Sequence, residues 1–140
     1  MKDSPLTEAE RQRISEAFAA VPFAHLLGLE LVSVERGKAV LRLGIRDELK
    51  QNKGIIHGGV TASLIDTAAA FVILTLLEPD QTTTTVDLTI HYLRPLVKGQ
   101  AMAHARIVRG GRRLIIAAVD VFDDAGSLAA TALTTYIRLT

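Results

Sequence analysis

The 140-residue chain contains no cysteine and no tryptophan. Without cysteine it can form no disulfide framework, thiol nucleophile or thiolate metal site. An excess of one charge is missing too, since 16 Lys and Arg residues stand against 15 Asp and Glu residues, for a formal net charge of +1. This balance favours neither a nucleic acid nor an anionic membrane surface as a partner.

Long apolar runs are also absent. The most apolar stretch, residues 68–77, is much shorter than the roughly 20 residues that cross a bilayer. The polar start of the chain argues against a secretory signal. We therefore expect a cytoplasmic protein with no membrane segment, built as one domain over residues 1–140 with residues 1–5 flexible.

Apolar spacing in the first half of the chain predicts two helices around a hairpin. Thr7 and Glu10 form a capping-box pattern that begins a short amphipathic helix, which Pro22 ends. Apolar residues recur at every second position on both sides of a turn within residues 29–45, which predicts a β-hairpin. Residues 58–78 are apolar on nearly every side, which is typical of a buried helix.

Apolar residues recur at every second position through most of the second half of the chain. This pattern predicts four strands, over residues 82–93, 100–109, 112–123 and 127–139. The fold class is therefore α+β in the order α-ββ-α-ββββ, an antiparallel sheet wrapped around one long central helix. Such a sheet leaves edge strands exposed, and pairing with a second copy commonly covers them.

One segment has the character of an active site. His57 precedes Gly58 and Gly59, and these glycines directly precede the predicted central helix, which carries a lone carboxylate at Asp66. The helix N-terminus offers unsatisfied N–H groups and the positive end of the helix dipole, which favour developing negative charge. A carbonyl oxygen that becomes an oxyanion suits such a place.

Gln51, His57-Gly58-Gly59 and Asp66, followed by the strand of residues 85–95, resemble the hotdog-fold acyl-CoA thioesterases. The resemblance covers nearly the whole chain. It is to the branch that includes the phenylacetate-pathway thioesterases and the 4-hydroxybenzoyl-CoA thioesterase with its carboxylate on the central helix. It implies hydrolysis of an acyl-CoA to coenzyme A and a free carboxylic acid, with no cofactor besides the coenzyme A of the substrate.

The resemblance also implies roles for individual residues. Asp66 would be the nucleophile or general base, the Gly58 N–H the oxyanion donor, and Gln51 a polar group near the thioester. Thr85 stands where the family often has a hydroxyl that helps to hold the attacking water, and His57 would shape the loop. Asn52 and Gly59 adjoin these positions and are candidate substrate contacts.

One position departs from the 4-hydroxybenzoyl-specific enzymes. Those enzymes carry a hydroxyl one turn beyond the carboxylate, where this chain has Ala70. The resemblance therefore implies no preference for that substrate.

Spacing along the helix adds an inference about assembly. Gly58 and Asp66 are eight positions apart, about 12 Å along a helix, so one thioester carbonyl cannot easily contact both. The simplest solution is a site shared between protomers, and the family resemblance implies the same arrangement. We expect a homodimer, and a homotetramer built as a dimer of dimers.

Arginine offers bidentate contacts to phosphate, so basic residues are candidates for holding coenzyme A. Arg94 and Arg112 are the candidate substrate-binding residues of a group at strand ends and turns that also includes Lys98, Arg109 and Arg113. The remaining histidines lack metal-ligand spacing, and no metal site is predicted; they are His25, His91 and His104.

Less specific interpretations stay open. Asp66 could belong to a small polar helix face with Thr61, Ser63 and Thr67, and Thr85 could simply be a β-favouring residue. In place of a thioesterase, the chain could be a non-catalytic acyl-CoA-binding module or a hydratase or dehydratase of hydroxyacyl thioesters. The carboxylate disfavours the module, and the position of His57 in the loop disfavours the hydratase.

Overall fold

A computed structural model describes residues 3–139. Three helices and six strands follow the predicted order α-ββ-α-ββββ, with one short helix added after the first. The helices are α1 (Glu8–Ala19), α2 (Pro22–Leu27) and α3 (Gly58–Leu74), and a single 3-10 turn covers Asp47–Leu49. The strands are β1 (Leu29–Glu35), β2 (Lys38–Gly44), β3 (Thr83–Tyr92), β4 (Gln100–Gly110), β5 (Leu114–Phe122) and β6 (Leu128–Arg138).

The six strands form one antiparallel sheet in the order β1-β2-β4-β5-β6-β3. The sheet wraps around α3, whose fully buried residues include Leu64, Ile65, Ala68, Ala69 and Val72. Small residues on the inner face of the middle strands, such as Ala103 and Ala117, are also fully buried and leave room for the helix. The predicted α+β fold with one central helix is confirmed.

The start of α1 has the predicted capping box. Thr7 Oγ1 accepts a hydrogen bond from the Glu10 N–H at 3.1 Å, and the Glu10 carboxylate accepts one from the Thr7 N–H at 2.9 Å. The prediction for Pro22 is only half correct, because α1 ends at Ala19 and Pro22 then begins α2. Proline suits the first position of a helix, since its missing N–H would have no partner there.

The central helix is shorter than predicted. It ends at Leu74 rather than near residue 78, because Thr75 is held from outside the helix. The Thr75 hydroxyl donates to the Val72 carbonyl and accepts from the Gly37 N–H at 2.9 Å. The Arg36 guanidinium donates to the Thr75 carbonyl at 2.8 Å. The β1–β2 turn thereby fixes the end of α3.

The same arginine joins the beginning of the chain to the sheet. Arg36 is 6% exposed, pairs with Glu10 at 2.8 Å, and donates to the carbonyls of Ser4 and Pro5. The predicted flexibility of residues 1–5 stays a prediction, and residues 1 and 2 lie outside the described residues.

Strand β3 is an edge of the sheet. It pairs with β6 on one side, and no described strand pairs with its other side. A register shift between Thr85 and Asp87 leaves Val86 more than half exposed. The opposite edge, β1, has α1 and α2 against it. Within residues 3–139, no helix is both long and apolar enough to cross a membrane.

Candidate active site

A carboxylate and two hydroxyls meet where the middle of α3 faces the β3–β6 pair. Thr85 on β3 lies opposite Tyr136 on β6, and both side chains point toward Asp66 on the helix. The Thr85 hydroxyl donates to Asp66 Oδ1 at 3.0 Å, and the Tyr136 hydroxyl donates to the same oxygen at 2.7 Å. Tyr136 also donates to the Asp66 backbone carbonyl at 2.9 Å.

The surroundings of Tyr136 decide the protonation state of its hydroxyl. Tyr136 is only 4% exposed, and burial, together with the adjacent carboxylate, raises the pKa of its hydroxyl above the usual range. The tyrosine therefore keeps its proton and acts as a donor. Asp66 Oδ1 receives two donors, whereas Oδ2 has no hydrogen-bond partner among residues 3–139.

The hydrogen bonds do not join Asp66 to Ser63 and Thr67 in a polar face of the helix. The Ser63 hydroxyl donates to the Gly59 carbonyl at 2.8 Å, and the Thr67 hydroxyl donates to the Ser63 carbonyl at 2.7 Å. Both therefore bond back to the helix backbone. The hydroxyl partners of Asp66 come from the sheet instead.

The N-terminus of α3 is capped by a histidine ring. His57 Nδ1 accepts a hydrogen bond from the Gly59 N–H at 2.8 Å, so the neutral ring carries its proton on Nε2. The His57 carbonyl accepts from the Val60 N–H at 2.9 Å. The Gly58 N–H has no partner within the described part of the chain. One backbone donor is thus free at the positive end of the helix dipole.

That free donor lies beside a cavity of about 450 Å³. Its lining consists of Gln51, Ile55, Ile56, Gly58, Thr61, Tyr92, Leu93, Arg94, Pro95, Leu96 and Ala129. The apolar side chains suit an acyl or pantetheine chain, and Gln51, Thr61, Tyr92 and Arg94 add polar groups to the lining.

Gln51 rather than Asn52 is the amide at this cavity. The Gln51 Oε1 atom accepts a hydrogen bond from the Lys53 N–H, which leaves the Nε2 group available as a donor. Asn52 is exposed in the adjacent turn and is not part of the lining. Two donors, the Gly58 N–H and the Gln51 amide, therefore lie at one cavity.

Tyr92 is a cavity residue that the sequence did not single out. Its hydroxyl donates to the Gly58 carbonyl at 2.7 Å, and its ring lies 3.5 Å from where a Cβ on Gly58 would stand. Tyr136 was missed in the same way. Both tyrosines occupy inward positions of predicted strands, so alternation could have marked them as facing the helix but not as contacting Gly58 or Asp66.

The candidate phosphate-binding residues lie far apart within one chain. Arg94 lines the cavity just beyond the Tyr92 end of β3. Arg112 lies in the β4–β5 turn. The neighbouring Arg113 carbonyl accepts from the Arg138 N–H, and Arg138 pairs with Thr83, so this turn lies near the Thr83 end of β3. The ten residues of β3 separate the two ends by about 30 Å.

The chain therefore carries two separate parts of a site. Gly58, Gln51 and Tyr92 surround the cavity, while Asp66, Thr85 and Tyr136 form a cluster eight helix positions further on, about 12 Å away. The other histidines, His25, His91 and His104, are exposed and belong to neither part. Residues 3–139 contain no group of three His, Asp or Glu side chains placed to hold a metal ion.

Comparison with known proteins gives a consistent assignment. The Thioesterase superfamily matches residues 53–130, which include the His57-Gly58-Gly59 sequence, Asp66 and Thr85. Human acyl-coenzyme A thioesterase 13 is 30% identical over 122 residues, which cover 86% of each protein. The medium/long-chain acyl-CoA thioesterase YigI of Escherichia coli is 30% identical over 132 residues, covering 84% of this chain and 85% of YigI.

The fold also matches a solved structure over nearly its full length. The PaaI protein from the phenylacetic acid degradation operon of E. coli superimposes with a TM-score of 0.89 over 96% of each chain. The two sequences are 21% identical, so this likeness concerns the fold.

Proposed function

The chain belongs to the thioesterase superfamily, a group of thioester hydrolases, and from that premise we propose that it hydrolyses acyl-CoA thioesters at a site shared between two protomers. The products are coenzyme A and a free carboxylic acid. The observation that carries the proposal is the Asp66 carboxylate, which is held through Oδ1 by Thr85 and Tyr136 while Oδ2 has no partner among residues 3–139.

Thioester hydrolysis places negative charge on the carbonyl oxygen of the substrate. The Gly58 N–H and the Gln51 amide N–H belong to residues that line the cavity, and neither has an acceptor among residues 3–139, so both can supply donors for that charge. Glycine at position 58 lets the thioester approach the backbone closely. Tyr92 binds the Gly58 carbonyl and so holds the donor segment in place.

Asp66 supplies the basic or nucleophilic oxygen. As a general base, it takes a proton from water while the water oxygen bonds to the carbonyl carbon. The C–S bond then breaks, and the departing thiolate takes that proton. As a nucleophile, Asp66 bonds to the carbonyl carbon, the C–S bond breaks and coenzyme A leaves as its thiolate. Water then hydrolyses the resulting anhydride, which releases the carboxylic acid and restores the Asp66 carboxylate; the protons released go to the thiolate and the solvent. Thr85 steadies the carboxylate in either route and can also contact the attacking water.

The edge position of β3, whose outer side no strand of residues 3–139 covers, supports a shared site. Two copies can cover that edge by pairing their β3 strands antiparallel. Such pairing brings the Thr85 end of one strand beside the Tyr92 end of the other. The Asp66 cluster of one protomer then approaches the Gly58 cavity of its partner, which removes the separation of about 12 Å within one chain.

The same pairing bears on coenzyme A. Arg94 lines the cavity, and Arg112 lies at the opposite end of β3, so an antiparallel dimer brings Arg112 of one protomer to the side where its partner carries Arg94. Both can pair with phosphates. Asn52 and Gly59 remain proposed contacts at the rim, Gly59 by its surface because its N–H is bound to His57.

The two rival functions lack support of this kind. A hydratase that used His57 as its base would need a free ring nitrogen. Nδ1 instead accepts from the Gly59 N–H, and the neutral ring then carries its proton on Nε2. A purely binding module would have no use for a helix carboxylate held by two hydroxyls of the sheet. Thioester hydrolysis is compatible with His57 as the helix cap and uses the Asp66 carboxylate that the two hydroxyls hold.

The direct test is release of thiol from a panel of aromatic and aliphatic acyl-CoA esters. Asp66→Ala should lower kcat on the best substrate by orders of magnitude while the protein stays folded, because alanine suits a buried helix but cannot activate water. Asp80→Ala, at an exposed turn position, is the matched control and should keep its activity. Near-normal turnover by Asp66→Ala would remove Asp66 from the mechanism.

A further inference from the structure

The two oxygens of the Asp66 carboxylate have different surroundings. Oδ1 lies 2.7 Å from the Tyr136 hydroxyl and 3.0 Å from the Thr85 hydroxyl. Oδ2 has no partner in the described part of the chain. Because a hydrogen bond draws electron density from its acceptor, Oδ1 is the weaker base and nucleophile of the two.

Tyr136 also fixes the direction of the carboxylate. Its single hydroxyl hydrogen lies between Oδ1 and the backbone carbonyl of the same aspartate, at 2.9 Å from the latter oxygen. A donor that bridges the main chain and the side chain of one residue restricts rotation of that side chain. The tyrosine ring is itself immobilised by burial, at 4% exposure.

We propose that Tyr136 is a positioning residue that holds Asp66 by Oδ1 and makes Oδ2 the oxygen that reacts. This inference rests on the proposed hydrolysis and adds an assignment at the level of single atoms. Thr85 alone leaves the carboxylate free to turn about one hydrogen bond. The second donor, from β6, removes that freedom and leaves Oδ2 for the reaction.

A purely structural role for Tyr136 is the competing explanation. A buried tyrosine needs a hydrogen-bond partner for its hydroxyl, and the Asp66 carbonyl alone would satisfy it. In that case the contact with Oδ1 would have no consequence for turnover. The two explanations differ in what removal of the hydroxyl does to kcat relative to stability.

Tyr136→Phe keeps the ring and removes the hydroxyl. We expect kcat to fall roughly 10- to 100-fold with KM changed less than about twofold, since a hydrogen bond to a charged group is lost without loss of the cavity. Thr134→Val is the matched control, because Thr134 is fully buried on the same strand and its hydroxyl donates to the Asp87 carbonyl at 2.7 Å. Thr134→Val should lower the melting temperature of the protein and leave kcat unchanged.

Wild-type kcat in Tyr136→Phe, or equal losses of kcat in Tyr136→Phe and Thr134→Val, would overturn the assignment. A crystal structure of Tyr136→Phe gives a measure that does not depend on activity. The Asp66 carboxylate should rotate or occupy more than one conformer there, and a single unchanged conformer would contradict the inference. Absence of thiol release by the wild-type protein would instead refute the proposed function, and the crystal structure would still decide the role of Tyr136.

Discussion

At the start of α3, an imidazole ring takes the place that a serine or aspartate side chain fills at most helix N-termini. His57 Nδ1 accepts from the Gly59 N–H at 2.8 Å, and this bond leaves the Gly58 N–H as the free donor at the cavity. In the proposed mechanism, the histidine therefore sets which glycine N–H is available to the substrate. There it contributes to geometry and helix stability, and Asp66 carries out the proton transfer.

His57→Ala should lower the free energy of unfolding by about 1 kcal/mol, as expected for loss of an N-cap, and should reduce kcat less than Asp66→Ala does. His57→Asn keeps a capping acceptor and should recover most of both losses. Thermal unfolding and thiol release measure the two quantities. If His57→Asn regains stability but stays as inactive as Asp66→Ala, the imidazole has a chemical role of its own.

The sequence predicted single residues where a local pattern defines them. Gly58 and Asp66 stand in a fixed spacing around a helix start, so the motif located both. Tyr92 and Tyr136 have no such pattern, because their partners lie 34 and 70 residues away along the chain. Only the register of β3 against β6 brings Tyr136 opposite Thr85 and over Asp66.

Among the elements, α1 is joined to the β1–β2 turn by a partly buried ion pair. The Arg36 guanidinium beside Glu10 lowers the pKa of that carboxyl from 4.5 to about 2, and the capping bonds with Thr7 contribute. Folding therefore favours the charged form of Glu10. The stabilisation is fully present above about pH 4.5 and is lost as the pH falls from there toward 2.

Glu10→Gln should destabilise the protein at neutral pH, by less than the roughly 3–5 kcal/mol seen when a fully buried pair is broken. The difference in unfolding free energy from wild type should shrink as the pH falls below 4.5. Glu8→Gln, at an exposed position of the same helix turn, should cost less at neutral pH. A gap between wild type and Glu10→Gln that stays constant with pH would show that the ion pair does not stabilise the fold.

The ends of helices and strands show where local sequence patterns no longer predict the structure. The capping box of α1 and the β1–β2 hairpin follow from neighbouring residues and were predicted. The end of α3 was not, because the apolar pattern continues past Leu74 and the helix is ended by contacts of Thr75 with Arg36 and Gly37. The turn after β4 shifted the start of β5 from residue 112 to Leu114, since the Gly111 N–H bonds to the Leu114 carbonyl at 2.9 Å.

For the whole molecule, periodicity and family resemblance predicted the fold class. Periodicity did not predict the order of the strands in the sheet. Alternation along β3 is the same whether it lies in the middle of the sheet or at its edge. The order β1-β2-β4-β5-β6-β3 places it at the edge, where no strand of residues 3–139 covers its other side, next to both parts of the candidate site. The cytoplasmic location and the dimer of dimers stay predictions.

The central claim is that Gly58 of one protomer and Asp66 of its partner form one site, and mixing two inactive homodimers tests it most directly. One homodimer carries Asp66→Ala and the other Gly58→Val; Val adds bulk at the cavity, and its Cβ would stand 3.5 Å from the Tyr92 ring, an ordinary contact. Each heterodimer then has one site with both changes and one with neither.

Subunit exchange between equal amounts should therefore restore thiol release to about one quarter of the wild-type level, because half of the dimers are mixed and each mixed dimer has one intact site. A mixture of Asp66→Ala with Asp66→Asn is the control and should stay inactive. If mass spectrometry shows the heterodimer and no activity returns, Gly58 and Asp66 act within one chain and the shared site is wrong.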